Sequence, residues 1–220
     1  MQRTRTQSGM TLIEIAVVLA VIAALTLMAT FGMGDWAADQ RLKSAVRSVA
    51  DAFQLARAEA IRSGNQHLVI FQGALGASAP IEIIDDGPIA AANCTIDAGE
   101  TLHSVAAVDG VSWGTTPDLA GATLAPDDVG QAPAQSALGS SFTDATLVPA
   151  GAASWVLFQP DGLPRVFTPN AGACAAIGLI GQGGGAIYLT NGRRDYAVVL
   201  SSLGTSRVHV WNEAAGAWKR

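Results

Sequence analysis

Two hydrophobic periods divide the chain. From Ile15 to Gly34 there are 20 residues without a formal charge. As a helix rising about 1.5 Å per residue, that run is about 30 Å long, which matches the hydrocarbon core of a bilayer. After Gly34 the apolar residues thin to helical spacing: Leu42, Ala45, Val46, Val49, Ala52, Phe53, Ala56 and Ala60. Arg41, Lys43, Arg47, Asp51, Gln54 and Arg57 fall on the other faces, so an amphipathic helix is predicted, with ion pairs four apart at Asp39/Lys43 and Arg47/Asp51. Gly64-Asn65 supplies the stop, and Gly32 and Gly34 mark a place for a bend or local melting.

Beyond Asn65 the period falls to two. His67–Phe71 and Pro80–Ile84 read as paired strands, with Asp85-Asp86-Gly87-Pro88 as a turn. Residues 88–104 read as irregular and Val105–Trp113 as a strand. Residues 114–153, rich in Ala, Gly, Thr, Ser and Pro, read as long loops with a short strand near Phe142–Val148. Ser154–Gln159 and Leu163–Thr168 flank Pro160-Asp161-Gly162 as a hairpin; Ala186–Thr190 and Tyr196–Ser201 flank Asn191-Gly192 as another. Ser206–Trp211 completes the sheet. The expected class is α+β: a long N-terminal helix, transmembrane then amphipathic, packed on an antiparallel β-sheet domain.

Charge adds a topology. Arg3 and Arg5 precede the apolar run and no cation follows it closely, so the N-terminus is expected in the cytoplasm and the domain in the periplasm. There Cys94 and Cys174 meet conditions in which a disulfide persists. The net charge of −5 is unevenly spread: Asn65 to Ala153 holds ten acidic residues and no Lys or Arg. Such a segment disfavours nonspecific nucleic-acid binding.

Catalytic and metal constellations are poor. His67, His103 and His209 have no ligand spacing. Leu200 stands where a nucleophile elbow around Ser202 would need glycine. Gly181–Gly185 leads into a strand rather than the helix N-terminus that phosphate cradling needs. Asp85-Asp86 and Asp127-Asp128 lack calcium-loop spacing and read as solvated turns, with a loop-built calcium site as the lesser alternative. The expectation is no enzyme, no cofactor and no metal.

One residue stands out. Glu14 places a carboxylate at the mouth of the apolar helix, where it needs a partner or a function. A basic leader followed by Gly9-Met10-Thr11-Leu12-Ile13-Glu14 and a long apolar helix resembles the class III signal of type IV pilins and type II secretion pseudopilins. The resemblance implies cleavage by prepilin peptidase between Gly9 and Met10, N-methylation of Met10, and pairing of Glu14 with the new amino group of a neighbouring subunit. "ARAEAIR" at 56–62, "FQPDG" at 158–162 and "YAVVLSSLG" at 196–204 resemble the GspH/FimT branch.

On that resemblance, residues 1–9 are the leader, 10–34 the transmembrane part of the helix, 35–64 its amphipathic part and 65–220 the periplasmic domain. The implied function is a minor pseudopilin of type II secretion, held in the inner membrane and then assembled with other pseudopilins near a filament tip. The alternative is a FimT-like minor pilin for pilus biogenesis or DNA uptake. Some FimT-like proteins carry Gly-Arg-x-Arg-x-Cys. Here Gly204-Thr205-Ser206-Arg207-Val208-His209 keeps the glycine and the second arginine, with Arg193, Arg194, Lys219 and Arg220 as candidates for a small basic patch.

Overall fold

The computed structural model describes residues 11–116, 119, 124–130, 139–145, 153–170 and 173–220, with side chains 28–33, 170, 173 and 175 outside the description. Its contacts form two compact units, Met1–Asp39 and Gln40–Arg220. One helix, α1 (Leu12–Ser63), enters both. Its helical hydrogen-bonding continues through Gly32 and Gly34, so the local melting expected there is absent. The helix stops where Gly64 turns to φ 73° and its N–H donates to the Ala60 carbonyl at 3.1 Å.

In the first unit, every described side chain from Thr11 to Leu27 is exposed. Across the described residues no helix is long and apolar enough to cross a membrane, the continuous described run ending at Leu27.

In the second unit, all eight residues of the predicted apolar stripe, Leu42 to Ala60, are buried. They meet two antiparallel sheets. The first is ordered β3 (Thr101–Val105), β2 (Ile81–Asp85), β1 (His67–Phe71), β5 (Trp155–Phe158), β6 (Pro164–Arg165). The second is ordered β12 (Ala217–Lys219), β11 (Ser206–Asn212), β10 (Asp195–Leu200), β9 (Gly185–Thr190), β4 (Ser112–Trp113). A separate pair joins β7 (Phe167–Asn170) to β8 (Ala173–Ile177).

Strand alternation sorts the core. Val69, Phe71, Ile83, Val156 and Phe158 of the first sheet, with Ile187, Leu189, Val198 and Leu200 of the second, surround the helix stripe. The opposite face of the first sheet (Leu68, Ile70, Ile84, Leu157) packs on Phe167 and Cys94. The opposite face of the second (Ala186, Tyr188, Ala197, Val199) packs on Ala125 and Trp218. Both faces of β1 and β9 are therefore buried, which is why those strands are nearly continuous apolar runs.

Several elements depart from the sequence reading. A strand begins at Thr101, inside the stretch expected to be irregular, and stops at Val105. The chain then turns, with Val111 N–H donating to the Val108 carbonyl and Gly110 at φ 77°, so only Ser112–Trp113 pairs again. Near Phe142 the described residues make an isolated bridge, Ser140 to Ile187, instead of a strand; residues 146–148 of that expected strand lie outside the described residues. The expected strand Leu163–Thr168 divides at Val166 into β6 and β7. Strands β8 and β12 had no period-two signal: tertiary contacts hold them, the Cys174 crosslink for one and Trp218 against Trp211 and Tyr188 for the other. Arg47 and Asp51 do not form the expected ion pair among the described residues.

Candidate functional site

The start of α1 is built by four residues, Thr11-Leu12-Ile13-Glu14. Thr11 is the cap: its Oγ1 accepts from Glu14 N–H at 3.3 Å, and its carbonyl accepts from the same N–H at 3.1 Å. Thr at the cap with Glu three residues on is the capping-box spacing, which stabilises the orphan N–H groups of a first turn. The Glu14 carboxylate thus sits at the electropositive end of the helix, where negative charge is favoured. It is exposed, as are Leu12 (88 %) and Ile13 (73 %) beside it. A helix apolar on every side and uncovered by the described residues calls for lipid or other helices. Gly9 and Met10 lie outside the described residues.

The two cysteines are brought together. Cys94 and Cys174, 80 residues apart, form a disulfide with Cα atoms 4.9 Å apart. Sequence reasoning missed its support. Gln66, fully buried, donates through Nε2 to Asp86 at 2.8 Å and approaches both sulfurs at 3.4 Å. Asp86 also accepts from the backbone N–H groups of Asn93 and Cys94 at 3.0 Å. Asp86 is therefore no solvated turn residue, as expected from Asp-Asp-Gly-Pro, but a buried acceptor; burial pushes its carboxyl up against the pull of those bonds. Nothing in the sequence separates it from Asp85, which is half-buried and whose Oδ1 accepts from Asn65 Nδ2 at 2.9 Å. Asp86 and the two sulfurs lie close enough to suggest a metal site, yet the sulfurs are bonded to each other and offer no thiolate.

Asp127-Asp128 is likewise structural. Asp128 accepts from Ser141 Oγ and Tyr188 OH, each at 2.7 Å, fastening residues 124–130 over the second sheet. Burial raises the Tyr188 hydroxyl far above its ordinary range. Asp127 takes Arg207 at 2.6 Å and Arg220 at 3.4 Å, and the Arg207 bond holds its carboxyl below the usual range. Arg207 pairs across from Val199, whereas Arg193 and Arg194 flank the β9–β10 turn, donating their N–H groups to Asn191 Oδ1. That turn lies beside Val210–Glu213, near the far end of β11, so Arg193 and Arg194 stand roughly 16 Å along the strand from Arg207, while Lys219 pairs across from Val210. His209, standing where the Gly-Arg-x-Arg-x-Cys pattern has cysteine, is buried with neither ring nitrogen hydrogen-bonded among the described residues, and burial lowers its pKa.

Residues 4–30 match the model of the prokaryotic N-terminal methylation motif. The chain carries the type IV pilin and pseudopilin signature. No curated protein and no solved structure matches the chain. The motif marks a membrane-anchored, pilin-like substrate of prepilin peptidase that assembles with other pilins. Its span takes in the cap at Thr11, Glu14 and the exposed apolar turns through Leu27, so the matched sequence and the uncovered surface are the same stretch of chain.

Proposed function

We propose that this chain is a minor pseudopilin of the GspH/FimT type, a structural subunit rather than an enzyme. Prepilin peptidase cuts between Gly9 and Met10, and Met10 becomes the methylated first residue. The helix is stored in the inner membrane with the domain in the periplasm, then packs among the helices of other pseudopilins near the tip of a short filament that drives secretion. Residues 10–34 serve as the span, 35–64 as the stem and 65–220 as the domain presented to neighbours.

The observation that carries this reading is the contrast along α1. Its motif-bearing first turns are apolar and exposed, while the stripe from Leu42 to Ala60 is buried under two sheets. Only the uncovered part needs a partner. Glu14 gives that partner a chemistry: a carboxylate in an apolar setting is stabilised by a cation, and a newly formed amino terminus on an adjacent subunit supplies one.

The DNA-uptake reading of a FimT-like pilin is less well supported. Arg207 and Arg220 share Asp127, and Arg193 and Arg194 stand at the other end of β11.

The test is the mass of the mature N-terminus after co-expression with prepilin peptidase. A chain beginning at singly methylated Met10 is expected. An intact chain that keeps residues 1–9 in the presence of active peptidase overturns the proposal.

A further inference from the structure

We propose that the edge of β3, unpaired among the described residues, binds an extended, basic-apolar segment of another protein by strand addition, in a groove between β3 and α1. The site is separate from the exposed part of α1 and does not rest on the function proposed above.

The two five-stranded sheets have four edges. Three are blunted by brevity, at two residues for β4 and β6 and three for β12. The fourth, β3, has five residues, Thr101–Val105, and is exposed from Thr101 to Ser104. An edge strand presents unpaired N–H and C=O groups, and proteins commonly protect it with Lys, Pro or a cover. β3 has neither Lys nor Pro, and Leu102 is 44 % exposed.

A helix beside a free edge forms a peptide groove. Here the groove holds about 380 Å³ and runs between Ser48, Asp51 and Leu55 of α1 and His103–Ala106. Sharing Ser48, Val105 and Ala106 with it is an apolar cavity of about 50 Å³ lined by Val49, Ile81, Val105, Val108, Trp113 and Leu189. That is about a third of the volume known to admit benzene, so one short aliphatic side chain fits. The cavity adjoins Ser48 and Val105, while Asp51 and His103 lie one step further along. Residues i and i+2 of an added strand, about 6.6 Å apart, would reach both places.

Charge selects the occupant. Asp51 is exposed and has no hydrogen bond or ion pair among the described residues. Asp97, Glu100 and Asp109 flank the strand, in a region from Asn65 to Ala153 that contains no Lys or Arg. The segment that fits is extended, with a Val-sized anchor and a Lys or Arg two residues away.

The experiment uses the full chain in detergent and a fluorescent peptide, Thr-Thr-Val-Thr-Lys-Thr-Thr, followed by anisotropy. Saturable binding is expected. Asp51→Lys should weaken it by about 10-fold, and exchanging the peptide Lys for Glu should restore it in that variant. N-methylating alternate peptide amides should abolish binding for one set and spare it for the other. Absence of binding to about 1 mM, or indifference to Asp51→Lys or to both N-methyl sets, overturns the proposal. So does a dimer of the full chain that the peptide cannot dissociate, because the edge then belongs to a second copy.

Discussion

Replacing Phe53 by alanine removes a fully buried helix side chain that packs on Phe71 of the first sheet and on Phe142. Phe53 is fully buried, edge-on to Phe71 with ring centroids at 5.6 Å, and tilted against Phe142 at 6.0 Å. Returning such a side chain to water costs about 2–3 kcal/mol. Each lost aromatic pair adds about 0.5–1.5 kcal/mol. The neighbouring rings also stack on each other at 5.9 Å, which limits their collapse into the space. The expected loss is therefore about 3–5 kcal/mol, as for buried Phe→Ala changes generally. With a urea slope of about 2 kcal/mol per molar, the midpoint of the full chain in detergent should fall by about 2 M, read by tryptophan fluorescence. Leu19→Ala, on the exposed part of the same helix, should leave that midpoint within about 0.3 M. A shift for Phe53→Ala below about 0.5 M, or equal shifts for both variants, would refute the docking of α1 through its apolar stripe.

Further outcomes are expected. Glu14→Ala should be processed normally yet co-purify poorly with partner pilins; undiminished co-purification would remove Glu14 from assembly. Replacing Cys94 and Cys174 together by serine opens a loop of 80 residues and should lower stability by about 4.5 kcal/mol in the chain-entropy model, measured by urea unfolding against the oxidised wild type. Stability should fall as pH drops below about 6.5, because the unfolded chain protonates at His209 before the fold does; His209→Phe should flatten the melting temperature between pH 7 and 5.5. Asp86 works in the opposite direction: its folded carboxyl takes a proton first, so its contribution grows as pH falls through its raised value towards 3.8, and Asp86→Asn should remove that gain.

Local chemistry made much of the molecule readable from its residues. The 3.6-residue spacing of Leu42 to Ala60 could bury one face only as a helix, and that face is the buried one. Gly64 could stop the helix because it alone accepts φ 73° without strain. The residues of Thr11–Glu14 carry their cap in sequence order, and the motif around them is contiguous. What stayed hidden depends on residues far apart in the chain. Asp85 and Asp86 are chemically identical neighbours; only the fold leaves one half-buried and puts the other beneath Gln66 and the disulfide. Asp127 meets Arg207 across 80 residues, and β8 and β12 pair without any periodicity of their own. Apolar period and turn chemistry act between near neighbours and are written along the chain. Burial of a carboxylate, pairing of charges and the opening of a groove beside a free strand arise only when distant segments meet.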